Sequence, residues 1–90
     1  MATAKIEWVD IKERRPKINF LASDMLLFVA DGKVYPGRYH ENGCFYSDEC
    51  NIAARTIYAE KKYGISQLPD KVATHWAKLP EPPEQMKASE

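Results

Sequence analysis

The sequence is poor in the residues that announce chemistry. Its 90 residues hold 2 cysteines, 2 histidines and 4 glycines, too few for a disulfide framework and with none of the glycine-rich, helical metalloprotease or calcium-loop spacings. No cofactor is therefore expected. No apolar run approaches the roughly 20 residues of a membrane helix, so no membrane partner is expected. The opening MATAKIEWVD lacks the apolar core of a signal peptide, which makes the cytosol the expected compartment. Thirteen basic and 13 acidic residues give a formal net charge of 0, so there is no overall electrostatic footprint for nucleic acid or an anionic bilayer. Any such contact needs a local patch.

What is present is a hydrophobic content of 44%, enough for one domain near the lower size limit for a core without staples. Residues 25–48 organise it. MLLFVADGKVYPGRYHENGCFYS reads as three strands, with Asp31-Gly32 and Asn42-Gly43 as two-residue hairpin turns, because these dipeptides tolerate positive φ. Met25 to Ala30 is an unbroken apolar run bounded by turn signals, the mark of a central strand buried on both faces. Pro36 in the second strand calls for an edge or a bulge, and Gly37 beside it permits a sharp bend.

The flanks add a strand at each end. Lys5 to Ile11 alternates as a short strand that must stop before Pro16, and Val72 to Leu79 is the last strand. Between the first strand and the meander, KERRPK places four basic residues among six positions, readable as a solvated loop or as an anion-binding patch. INFLASDM, 18–25, fits one helical turn or an irregular approach. After the meander the period changes: Cys50, Ala53, Ala54 and Ile57 share a stripe, predicting a helix over about 50–64, capped by Ser47 or Asn51 and ended by Gly64. The expected fold is α+β, mainly β: a strongly bent antiparallel sheet or a small Src-homology-like barrel with one helix across it. Residues 1–80 form the domain, and 81–90 form a proline-rich extended or disordered tail.

Few side chains suggest a site. Trp8 and Trp76 lie in the terminal strands and could pack together to seal one end of the fold; alternatively, one of them forms an aromatic groove with Tyr35, Tyr39 and Tyr46. Arg38 and His75 complete the candidate binding residues. His40, Cys44, Cys50 and His75 are all the cysteine and histidine of the chain, and together could close a zinc site, although the usual paired spacings are missing. A Cys44–His75 nucleophilic pair can be written, but no orienting group or oxyanion element accompanies it, so no catalytic residue is assigned.

The closing segment VATHWAKLPEPPE, 72–84, resembles the terminal signature of the phage and prophage family called domain of unknown function 551, with its Thr-His-Trp, Leu-Pro and Glu-Pro-Pro. The opening is similar too, Trp8 being followed eight residues later by Pro16 with Ile11 and Lys12-Glu13 between. In the middle, Leu27-Phe28-Val29, Asp31-Gly32, Gly37, Tyr39 and Phe45 agree in outline. Arg15 stands where the family usually has Leu, Ala77-Lys78 replaces Met-Pro, and the stretch 50–64 is longer than in compact members. The resemblance implies a small β-rich phage or prophage domain with no assigned activity.

The expectation is thus a non-catalytic binding module acting in the host cytoplasm, its partner a host or phage protein and its purpose inhibition of a host process. The alternative is a nucleic-acid-associated module using Lys12 to Lys17 and the tyrosines. The third is a small hydrolase or zinc protein.

Overall fold

The computed structural model describes residues 6–79. Its elements run Val9–Asp10 (β1), Leu26–Ala30 (β2), Lys33–Tyr39 (β3), Cys44–Ser47 (β4), Ile52–Arg55 (β5), helix Ile57–Tyr63 (α1), a 3₁₀ turn Ile65–Gln67, and Lys71–Lys78 (β6). The meander forms as the sequence predicts. In the first turn Asp31 and Gly32 take φ of 54° and 73°, the left-handed pair of a two-residue hairpin. The second turn is longer than expected: the loop Glu41–Gly43 closes with Gly43 N–H on the His40 carbonyl at 3.0 Å, and only Gly43 is left-handed, at φ 90°. Asn42 contributes through its side chain, accepting the Cys44 N–H at 3.0 Å.

The sheet closes on itself. Strand order is β1-β6-β2-β3-β4-β5 with a further β5–β6 pairing, which makes a barrel of five strands with β1 as a sixth, outside it. Of the two expected forms, the barrel is the one adopted. Closure needs one parallel pair, Ala54↔Lys71 and Arg55↔Val72, where an antiparallel sheet was expected. A parallel neighbour requires a crossover, and the connection through α1 and the 3₁₀ turn supplies it. Arg55 fastens that corner, its Nε donating to Glu60 Oε2 at 2.6 Å and its terminal nitrogen to the Pro69 carbonyl at 2.7 Å.

The helix predicted over 50–64 is the main correction. Asn51 turns the chain at φ 55°, residues 52–55 pair with β4 from Cys44↔Arg55 to Ser47↔Ile52, and the helix begins only at Ile57. Sheet pairing overrides the helix preference of the two alanines, because Ala54 is fully buried opposite Phe45. The cap is consequently Thr56, not Ser47 or Asn51. Its hydroxyl accepts the Tyr58 N–H and donates to the Gly43 carbonyl at 2.6 Å, tying the helix start to the second turn. Gly64, at φ 82°, ends the helix as expected.

The core gathers Leu26, Phe28, Tyr39, Phe45 and Trp76 among others. Phe28 stacks on Phe45 with centroids 4.9 Å apart, and Tyr39 tilts against Phe45 at the same separation. Each such pair is worth about 0.5–1.5 kcal/mol beyond the area it buries. Strand β2 is central, between β6 and β3. Pro36 is tolerated because β4 pairs only with Arg38 and Tyr39, so the stretch of β3 before them has no partner on that side. Gly37 serves close packing: a Cβ there would collide with the Tyr46 carbonyl and with the Phe28 ring. The irregular bulge lies in β6, where the register against β2 shifts between Val29 and Ala30 and leaves Thr74 as the extra residue.

First and last strands meet, Val9 opposite Trp76 and Asp10 opposite His75, although β1 is shorter than the predicted Lys5 to Ile11. The paired tryptophan seal does not form. Val9 shares a face with Trp76 across the ladder and packs on the core, so by alternation Trp8 points away and stays 39% exposed, whereas Trp76 is 5% exposed. The 18–25 stretch is the irregular approach, joined to the barrel by the bridge Ala22↔His40 and by the Ser23 N–H on the Tyr39 carbonyl at 2.8 Å. The proline-rich tail 81–90 lies outside the described residues.

Candidate functional site

The connection 11–25 wraps the end of the barrel where Trp76 is held, and side-chain bonds to its backbone fix its path. The Trp76 indole N–H donates to the Arg14 carbonyl at 2.8 Å, the Tyr58 hydroxyl to the Ile11 carbonyl at 3.1 Å, and Arg38 to the Ser23 carbonyl at 3.0 Å. Pro16 is buried under this wrap, which stops the loop from lying flat. The result is an open cleft of about 490 Å³ lined by residues 14–17, 19, 23–26, 76, 78 and 79.

Its charge is one-sided. Arg14, Arg15, Lys17 and Lys78 line it against one carboxylate, Asp24, which already accepts the Asn19 amide at 2.7 Å. Among the described residues the ion pairs are Arg55–Glu60 and Lys71–Asp31, so no cleft cation is neutralised there. Arg14 lies over Trp76 at 5.6 Å, an arrangement that holds its guanidinium in place without consuming its hydrogen-bond donors, whereas the Arg15 guanidinium lies over Tyr58 at 4.6 Å and beside Tyr39, away from the cleft. Lys17 and Lys78 are exposed. Met25 and Leu79 supply its apolar surface.

The other candidates scatter. Arg38 and Tyr46 line a second cleft of about 410 Å³ with His40, Asp48 and Glu49; His40 meets the Tyr46 ring edge-on at 4.6 Å, and Asn42 donates to the Tyr46 hydroxyl at 2.8 Å. Tyr39 is in the core, where burial pushes its phenol above the ordinary value and the nearby Arg15 charge offsets part of the rise. Tyr35 packs against Phe28 with centroids 5.6 Å apart, and Trp8 stands outside the barrel. The β6 bulge sets Thr74 beside His75, hydroxyl to Nδ1 at 3.0 Å.

Cys44 and His75 lie on strands that do not pair, and burial raises the Cys44 thiol, the wrong direction for a nucleophile. Cys50 sits exposed in the turn before β5, and among the described residues no group of three or more Cys, His, Asp or Glu is placed to hold a metal ion. No helix among those residues is long and apolar enough to cross a membrane. The basic run was readable in the sequence as a patch; Lys78, Met25 and Leu79 beside it were not, because only the folded barrel brings them there.

Fold and site together define a small closed β-barrel with a cationic cleft at one end. Compared with protein-family models, curated proteins and solved structures, the chain matches none.

Proposed function

We propose that this chain is a non-catalytic protein-binding module and that the cleft over Trp76 is its contact surface. The observation that carries the reading is that Arg14 and Lys17, on a loop held to the barrel by side-chain bonds, and Lys78 of β6 line the cleft without ion-pair partners among the described residues. Preformed charge on a rigid scaffold raises association rate and selects partners without requiring chemistry. The sequence resemblance adds the proposal of a phage or prophage origin, which makes a host protein the natural partner and stoichiometric inhibition the natural mode.

Affinity capture from host cytoplasm with the wild-type chain and with Lys17→Glu/Lys78→Glu tests this. Both lysines are exposed and neither stacks on a core aromatic, so the variant keeps its fold. A protein retained by the wild type and lost by the variant supports the reading. Equal retention by both removes the cleft from it.

A further inference from the structure

The cleft's own chemistry narrows what it takes. We propose that its occupant is an acidic, extended segment of the partner protein, with carboxylates against the cations and apolar side chains against Met25 and Leu79. The inference rests on the protein-binding reading above.

The charges come first. Arg14, Lys17 and Lys78 face one carboxylate, Asp24, so an anionic ligand meets net attraction inside the cleft. The Arg14 guanidinium, stacked on Trp76, retains a planar donor fork suited to carboxylate. The apolar surface comes second. Leu79 is 44% exposed and Met25 half-buried, so a ligand side chain placed against them removes apolar area from water. An extended peptide alternating acidic and apolar residues turns its carboxylates to one side of the cleft and its apolar side chains to the other.

A single-stranded nucleic acid would share the charge and not the rest. Such strands gain much of their affinity by stacking bases on exposed aromatic faces. The one aromatic ring in this cleft is Trp76, 5% exposed and overlain by Arg14. The chain's formal net charge is 0, so no wider field compensates.

Fluorescence anisotropy with a fluorescein-labelled peptide alternating glutamate and leucine tests the assignment on the full chain. Binding is expected, falling as salt is added, with Lys17→Glu/Lys78→Glu weakening it about 10-fold or more, roughly the sum of two partly exposed charge contacts. A glutamate–serine peptide of equal length binds more weakly, and a lysine–leucine peptide does not bind. The proposal is overturned if the glutamate–leucine peptide fails to bind, if its affinity ignores the charge reversal, or if oligo-dT binds more tightly. If the peptide fails while the charge reversal still abolishes capture of a host protein, the acidic ligand is wrong and the protein-binding cleft stands. If capture is also indifferent to the reversal, both fall.

Discussion

Replacing Trp76 by alanine separates a structural closing strand from an exposed recognition surface. The side chain is 5% exposed, belongs to the core cluster, and donates its indole N–H to the Arg14 carbonyl at 2.8 Å. Truncating a buried tryptophan costs about 3–5 kcal/mol through lost transfer energy and the cavity left behind. The orphaned Arg14 carbonyl adds little, because Arg14 is exposed and water can replace the donor. Domains of this size have roughly 5–15 kcal/mol in total, so the loss takes from about a fifth of the stability to all of it. Urea unfolding followed by circular dichroism reads the loss: with a slope of about 1–3 kcal/mol per molar, the midpoint falls by at least ~1 M. Trp8→Ala is the control, since its 39% exposure leaves less to lose than at Trp76. A Trp76→Ala midpoint equal to wild type, or a larger loss from Trp8→Ala, refutes the reasoning.

The two hairpin glycines should differ. Gly43→Val places a Cβ 2.7 Å from the Ala59 nitrogen at φ 90° and is expected to cost more than ~2 kcal/mol in the same assay, whereas Gly32 has φ 73° with open space around it and Gly32→Val costs about 1 kcal/mol. Arg55→Met should cost about 2–3 kcal/mol by breaking the Glu60 and Pro69 contacts that hold the β5–α1 corner, while Lys71→Met at the exposed Asp31 pair leaves the melt within ~0.5 kcal/mol. Iodoacetamide on the native protein should label Cys50 and spare Cys44, as mass spectrometry can show. Burial raises both the Cys44 thiol and the Tyr39 phenol in the folded state. The unfolded chain then ionises first, so stability is fully present below about pH 8.5 and declines as pH rises past the ordinary thiol and phenol ranges. Cys44→Ala should flatten the first part of that decline.

The parts of the fold written in local chemistry were legible in the sequence. The Asp31-Gly32 turn, the apolar run of β2 and the terminator Gly64 each depend on residues within a few positions of one another. The parts set by distant partners were not. Ile52–Arg55 carries helix-forming alanines and becomes a strand because β4 offers a ladder and the core accepts Ala54 beside Phe45. Trp8 and Trp76 look equivalent in sequence, yet the register Val9↔Trp76 turns one inward and the other out. The cleft was half legible for the same reason: KERRPK is contiguous, but Lys78 and Leu79 arrive only when β6 closes the barrel.

The central claim, that recognition sits in the cationic cleft over Trp76, is tested most directly by titrating the glutamate–leucine peptide into isotope-labelled protein and following amide chemical shifts. Recognition in the cleft predicts perturbations confined to residues 14–19, 23–26 and 76–79. Perturbations centred instead on Arg38, His40 and Tyr46 of the second cleft, or an unchanged spectrum at saturating peptide, would contradict it.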